Sequence, residues 1–219
     1  MSAAVSKMFE GIAPTYDALN RIMSLGVDRG WRRKTVAALG EVRGRRVLDI
    51  CAGTLDLAEM AERAGAQVIG ADFAQAMLLR GRAKVSAPLV RADAMKLPFA
   101  GGAFAGAMCG FGLRNLDDPL AGLREARRVL APGARLVVLD LFRPRRAITR
   151  AVQVLYNRRV LPALGGLISG DRAAYRYLAS SIERFATREE VESLARAAGF
   201  TEVHGEDLTL GVAALVVAS

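Results

Sequence analysis

The stretch "RRVLDICAGTLDLAE", residues 45–59, decides the reading of the fold. Val47, Leu48 and Ile50 have the residue types of a short buried strand, with Asp49 near its carboxyl end. Ala52, Gly53 and Thr54 supply a turn of small residues, and Asp56 to Ala64 begin a helix. Strand, small-residue turn and helix in that order build the crevice in which α/β proteins hold a nucleotide-like ligand. The turn alone is equally compatible with an ordinary strand-to-helix loop, so the surrounding sequence has to decide.

Two further apolar runs repeat the pattern. "AQVIGADF" ends in Asp72 and Phe73, with Asp72 lying 23 residues beyond Asp49. An acid at the tip of a second strand, about 20 residues on, accepts hydrogen bonds from ribose hydroxyls. "PLVRADAMKLPF" carries Asp93 and Ala94 at the end of a third strand. Three acids at successive strand ends suggest one shared ligand. The turn reads Gly53, Thr54, Leu55, Asp56 and lacks the G-x-G-x-x-G spacing that packs a pyrophosphate against a helix. Acids beside it disfavour phosphate and suit a cationic ligand that carries an adenosine, which points to S-adenosylmethionine rather than NAD or ATP.

The chain reads as alternating α and β elements without linker or repeat. Helices are expected over about residues 4–40, with Asp28 as a cap, then near 56–64, 74–84, 117–130 and 187–198. Strands are expected near 46–50, 67–72, 88–92, 103–109 and 134–141. "TEVHGEDL" and "GVAALVVA" follow one another too closely for a crossover helix and must form an antiparallel hairpin. The result is a mostly parallel sheet of seven strands with helices on both faces, one domain over residues 1–219, a helical lid at 1–40 and a substrate cap at 145–183.

Of the 219 residues, 52% are hydrophobic and 24% charged, enough for one well-buried domain. No apolar run reaches the ~18 residues of a membrane span, and no secretory leader is visible, so a cytoplasmic location is expected. Cys51 and Cys109 read as core thiols on buried strands. No metal site is indicated. The formal net charge is +9, yet no nucleic-acid motif or stacking platform accompanies it, and nucleic acid is not expected as a partner. Arg143, Arg145, Arg146, Arg150, Arg158 and Arg159 cluster in one segment. If it is helical, Ile148, Ala151, Val152 and Leu155 share one face, and Arg146, Arg150, Gln153 and Asn157 the other. Periodicity alone favours a helix packed on its own core with a solvated face.

Several motifs carry a family resemblance over nearly the whole chain. "MFEGIAPTYDALNRIMSLGVDRGWRR" (residues 8–33), "VLDICAGTLDLA", "ADAMKLPFAGGAF", "GFGLRNLDDPLAGLREARRVLAPGARLVVLDLFRP" and "YRYLASSIERFATREEVESLARAAGF" (residues 175–200) resemble, in order, the ubiquinone/menaquinone biosynthesis C-methyltransferases. The resemblance implies a class I methyltransferase fold, S-adenosylmethionine as cofactor and a prenylated quinol as acceptor, most directly demethylmenaquinol. A ubiquinone precursor or another aromatic acceptor is the alternative within the enzyme class. It also gives a reason for transient contact of the basic segment with an anionic membrane, peripheral at the inner face, and it leaves a homo-oligomer open.

Departures from the family pattern are Leu55 in place of a second loop glycine, Ala105 in place of an acid, Ala134 in place of a glycine and Asp140 in place of Glu. Leu55 either turns into the apolar layer beneath the helix or fills part of the pocket. The second outcome would favour a catalytically weakened relative that serves as a binding subunit.

The resemblance implies that Asp72 and Phe73 meet the ribose side of the cofactor and that Asp93 and Ala94 hold the adenine edge. Gly53 and Thr54 would line the methionine portion, with Asp49 supporting the loop. Arg114 and Asn115, just past the fourth strand, and Tyr16 with Asp17 in the lid are the catalytic candidates. Arginine is no base at neutral pH but can stabilise a phenolate. Its structural alternative is an ion pair with Asp117 or Asp118; that of Tyr16 is lid packing. His204, the only histidine, falls in a strand remote from the cofactor motifs and reads as structural.

Overall fold

The computed structural model describes residues 8–11, 13, 16, 21, 24, 26–144, 147–155, 159 and 172–219. Its backbone is a sheet of seven strands in the order β3-β2-β1-β4-β5-β7-β6. In chain order the elements are α1 (Asp28–Ala38), β1 (Arg46–Ile50), α2 (Asp56–Arg63), β2 (Gln67–Asp72), α3 (Gln75–Gly81), β3 (Leu89–Arg91) and β4 (Phe104–Gly110). They continue as α4 (Pro119–Val129), β5 (Leu130–Leu141), α5 (Ala147–Leu155), α6 (Arg172–Arg184), α7 (Arg188–Ala197), β6 (Val203–Leu208) and β7 (Ala213–Ala218). Strands β1 to β5 pair in parallel, whereas β7 runs antiparallel to both β5 and β6, as the short β6–β7 connection requires.

The alternation along β1 sets the layers. Leu48 and Ile50 pack with Ala107, Val138, Leu123 and Val191 under α4 and α7. Val47 faces the other way, with Leu39, Leu57, Ala61, Leu78 and Met108 under α1, α2 and α3. Strand order reverses at β1, flanked by β2 and β4, and ligand crevices of doubly wound sheets open at the carboxyl edge of such a point.

Several expectations shift. Asp28 does not cap α1: Val27 takes that position without a side-chain bond. Asp28 is instead a buried first-turn residue that accepts from Ser24 Oγ (2.7 Å) and Arg32 Nε (3.3 Å). The helix expected over 74–84 ends at Gly81 and tightens into a 3-10 turn at Arg82–Lys84. Strand β5 starts at Leu130, not 134, because Leu130 pairs with Phe104 before the register slips to Arg135 opposite Gly106. That irregularity absorbs the turn residues Ala131 to Ala134 inside the ladder.

The face assignment of α5 holds for Arg150 and fails for Ala151, Gln153 and Leu155. Gln153 is buried, while Arg150, Ala151 and Leu155 are exposed, Leu155 by 62%. Ala151 and Leu155 are four residues apart and share the solvent side, so the helix packs through the stripe that carries Gln153. Asp17, Arg145, Arg146, Asn157 and Arg158, the side chains of Ile148 and Val152, and much of the lid and cap lie outside the described residues. His204 is an exposed residue of β6, as the sequence suggests.

Candidate functional site

Three non-glycine residues at the carboxyl edge have left-handed backbones: Cys51 (φ 55°) after β1, Leu55 (φ 68°) before α2, and Phe111 (φ 59°) after β4. Each costs roughly 1–2 kcal/mol relative to ordinary backbone, and such residues gather where a site is held by its surroundings.

Leu55 is fully buried and turns into the layer beneath α2, α3 and β2, the first of its two alternatives. It occupies space that glycines leave open. A Cβ built on Gly70 would lie 2.8 Å from Leu55 Cδ2, and one on Gly81 would lie 2.9 Å from Leu55 Cγ. Burying a leucine contributes about 1.5–3 kcal/mol, which offsets the backbone strain. The crevice is left clear of it.

Asp72 ends β2 with its carboxylate between two backbone donors, Gly53 N–H (2.8 Å) on Oδ2 and Ala74 N–H (2.8 Å) on Oδ1. It therefore clamps the β1–α2 turn to the start of α3, a structural task that the motif spacing does not reveal. Burial raises its pKa, opposed by those N–H bonds. Each carboxylate oxygen has a second lone pair for a ligand hydroxyl. Beside it, Phe73, Asp93 and Ala94 line a small crevice with Cys51, Leu97 and Leu116. Four of the seven candidate cofactor residues thus meet in one place. Gly53 is tied to them through Asp72, and the buried Asp49 and Thr54 lie outside the lining.

Cys51 sits one residue past β1 rather than on it, its thiol hydrogen-bonded to Cys109 of β4. That bond, followed by burial, pushes the Cys51 pKa up. Both cysteines are free thiols. Gly112 makes the approach possible, since a Cβ there would meet Cys51 Sγ at 2.9 Å and Cys109 Sγ at 3.1 Å.

Asp49 faces α2. Its Oδ2 accepts from Ala58 N–H (3.1 Å), and its Oδ1 has no hydrogen-bond partner among the described residues. Burial pushes its pKa up to about 8 against the pull of Arg32, with Asp72 and Asp56 adding repulsion. Arg32 is itself buried against Asp28 and Asp56 (3.4 Å), with its guanidinium 5.1 Å from the centre of the Phe111 ring. An orphaned carboxyl oxygen in an acidic neighbourhood fits a cationic ligand, whose charge would favour the ionised form.

The second cluster grows from Phe111. Its N–H donates to Leu139 O (2.7 Å), and its carbonyl accepts from both Arg114 Nη1 (2.7 Å) and Asn115 Nδ2 (3.1 Å). Arg114 does pair with an acid, but with neither Asp117 nor Asp118. Its Nη1 meets Asp140 Oδ1 at 2.5 Å, with both side chains out of water, while Asp118 caps α4 through Ala121 N–H. Desolvation pulls the Arg114 pKa down, and Asp140, Tyr16 and Tyr177 outweigh it, so the group remains a cation. Arg114 Nε is a buried donor without a partner among the described residues.

Asn115 is buried too, and its Oδ1 accepts from Tyr177 Oη (3.2 Å) of α6. Tyr16 packs with Phe9 over Ala74 and Met77 while also acting on the Arg114 charge. The two readings of Tyr16 are therefore compatible. Sequence reasoning missed Tyr177 and Phe111; "YRYLASSIERF" did offer Tyr177 as an aromatic hydroxyl in the cap segment. No group of three or more His, Cys, Asp or Glu among the described residues could hold a metal ion.

The model of the "ubiE/COQ5 methyltransferase family" matches residues 1–219. A demethylmenaquinone methyltransferase of Thermus thermophilus is 49% identical over 217 residues, covering 96% of this chain and 98% of that protein. The Deinococcus radiodurans enzyme of the same name is 43% identical, covering 98% and 91%. A ubiquinone/menaquinone biosynthesis C-methyltransferase of Geotalea uraniireducens is 37% identical, covering 97% and 94%.

Among solved structures, a SAM-dependent methyltransferase of Thermotoga maritima superposes with a TM-score of 0.70 at 20% identity, covering 97% of this chain and 98% of the other. One from Mesorhizobium loti gives 0.63 at 22%, covering 84% and 95%. These last two establish the class I methyltransferase fold. With the full-length family match beside it, the chain belongs to the ubiE/COQ5 methyltransferases.

Proposed function

We propose that the protein transfers the methyl group of S-adenosylmethionine to a ring carbon of a prenylated quinol, demethylmenaquinol first among the acceptors. The observation that carries this reading is the buried, unpartnered Arg114 Nε beside Asn115, at the same sheet edge as the Asp72–Asp93 crevice. When bound, the cofactor supplies an electrophilic methyl on a sulfonium. Asp72 would hold the ribose hydroxyls, Asp93 and Ala94 the adenine edge, and Gly53 and Thr54 the methionine portion, with Asp49 supporting the loop.

Methyl transfer is an in-line displacement, so the protein's contribution is alignment and exclusion of water. A ring carbon becomes nucleophilic only as a neighbouring hydroxyl gives up its proton, which a water oriented by Arg114 would accept. Arg114 stabilises the oxygen that develops negative charge. Asn115 adds a donor, and Tyr16 orients the ring from the lid. The retained Arg114, Asn115, Asp72 and Asp93, together with the clearance of Leu55 from the crevice, favour an enzyme over a binding subunit.

The acceptor's tail has to be collected from lipid. We propose transient membrane contact through α5, where exposed Leu155 and Ala151 stand beside exposed Arg150, with Arg159 exposed nearby. None of the described helices is long and apolar enough to cross a membrane.

The test is incubation with S-adenosylmethionine and reduced short-tailed demethylmenaquinone, a demethylated ubiquinone precursor or a simple naphthohydroquinone, with products read by mass spectrometry. Ring-methylated menaquinol is expected, with loss of about 100-fold in Arg114→Met, the scale of removing one preorganised donor. Cofactor binding without methylation of any of the three acceptors would overturn the reading.

A further inference from the structure

We propose that Tyr177 is a positioning residue that holds the Asn115 carboxamide in the orientation needed to meet the acceptor's ring oxygen. The inference rests on the reading of Arg114 and Asn115 as the groups that face the acceptor, and it adds a residue from outside the cofactor and Gly-Leu-Arg-Asn motifs.

The hydrogen-bond partners fix the orientation. Phe111 O can only accept, so the Asn115 NH2 must face it, and Oδ1 is left for a donor. Tyr177 Oη supplies that donor at 3.2 Å. Burial, the largest influence on Tyr177, raises its pKa, so the group stays a phenol and retains the proton it donates. The facing groups are Arg114 and Arg184, which pull the other way, and Asp117, which adds to the rise.

With one N–H on Phe111 O and the carbonyl oxygen on Tyr177, the carboxamide keeps a second N–H, and its neighbour in sequence, Arg114, keeps its Nε–H; on this proposal the two are the donors for one developing oxyanion. Tyr177 sits on α6 and the two donors sit on the turn after β4, so the phenol also couples the cap segment to the donor pair. Without the hydroxyl, Phe111 O alone among the described residues holds the carboxamide, whose oxygen then has no donor among them.

The experiment is a double-mutant cycle in the full-length protein with Tyr177→Phe, Asn115→Ala and the combination. The readouts are kcat and KM for the quinol acceptor, the calorimetric Kd for S-adenosylmethionine, and Tm. Tyr177→Phe should lower acceptor kcat/KM by about tenfold, the scale of one net hydrogen bond, with cofactor Kd unchanged. Added to Asn115→Ala it should cost no more than about twofold, because the group it positions is gone. Additive losses would mean that Tyr177 acts independently of Asn115, and full activity in Tyr177→Phe would mean that it does not act at all; either overturns the proposal. If Asn115→Ala itself retains full activity, the donor reading fails first and Tyr177 falls with it. Should the Phe variant lose its fold, Tyr177→His retains a ring and a donor and is expected to keep at least a third of kcat/KM; a tenfold loss there with Tm preserved would also overturn the assignment.

Discussion

Arg114 and Asp140 form an ion pair in which neither side chain reaches water, one partner from the turn after β4 and the other from the end of β5. Asp140 Oδ2 also accepts from Arg114 N–H at 3.2 Å, so the same carboxylate fixes both the backbone and the guanidinium of its partner. Removing the acid strands a buried cation. Asp140→Ala should lower stability by about 3–5 kcal/mol, the range for breaking one side of a buried pair, as measured by denaturant unfolding. Asp140→Glu, the residue usual in the family, should lose much less.

Leu55→Gly would relieve the left-handed backbone but empty a space bounded by Gly70 and Gly81. Removing a buried leucine side chain costs about 2–5 kcal/mol and the relieved strain returns about 1–2, so Tm should fall by several degrees. Calorimetric affinity for S-adenosylmethionine should stay within about threefold, since the side chain lies outside the crevice.

Asp49, with its pKa raised from 3.8 to about 8, sets a pH dependence. In the free protein at pH 7 the carboxyl is mostly protonated, and a cationic ligand favours the carboxylate. Cofactor binding should therefore release a proton, and affinity should rise from pH 6.5 to pH 8.5. Calorimetry in buffers of different ionisation enthalpy reads the proton directly, and Asp49→Asn should abolish the effect. For stability the sign is opposite. Because the folded pKa lies above the unfolded one, the contribution of Asp49 is complete below about pH 4 and is lost as pH rises through about 8.

Asp72→Ala removes a ligand-accepting group and frees Gly53 N–H and Ala74 N–H. Cofactor affinity should drop by roughly 10- to 100-fold, the scale of hydrogen bonds to a charged group. Unchanged affinity would show that the strand-end acid is structural only.

Cys51 should be slow to react. Its thiol is held protonated by Cys109 and burial, so iodoacetamide at pH 7 should label the native protein far more slowly than the unfolded chain. Cofactor should slow it further, because Cys51 lines the crevice.

The sheet was legible because each strand announces itself by an apolar run ending in a turn or an acid, and β1, β2 and β4 fall within a residue of where that pattern puts them. The end of α4 was harder to read, since "VLAPGAR" has the composition of a loop and becomes strand only through pairing with Phe104 and Gly106. On α5 the exposure of Arg150 was legible, but Gln153 and Leu155 were misplaced because periodicity ranks side chains by polarity, whereas packing put Gln153 inward and Leu155 outward. At the candidate site, strand-end spacing picked out Asp72 and Asp93, which line one crevice. No local pattern could reveal that Arg114 would choose Asp140, or that Tyr177 would reach back 62 residues to Asn115. Such partners are adjacent only once the sheet has formed.

The Phe111 carbonyl gives the turn after β4 a particular mechanical character. Arg114 and Asn115 are both tethered to that single oxygen, and the N–H of the same residue is anchored to Leu139. The two side chains therefore move as one piece, fastened to the sheet, and on the proposed function they would not adapt separately to each ring that arrives. Divergence in the ring that relatives accept would then be written into the cap helices, leaving this fixture untouched while the walls around it change.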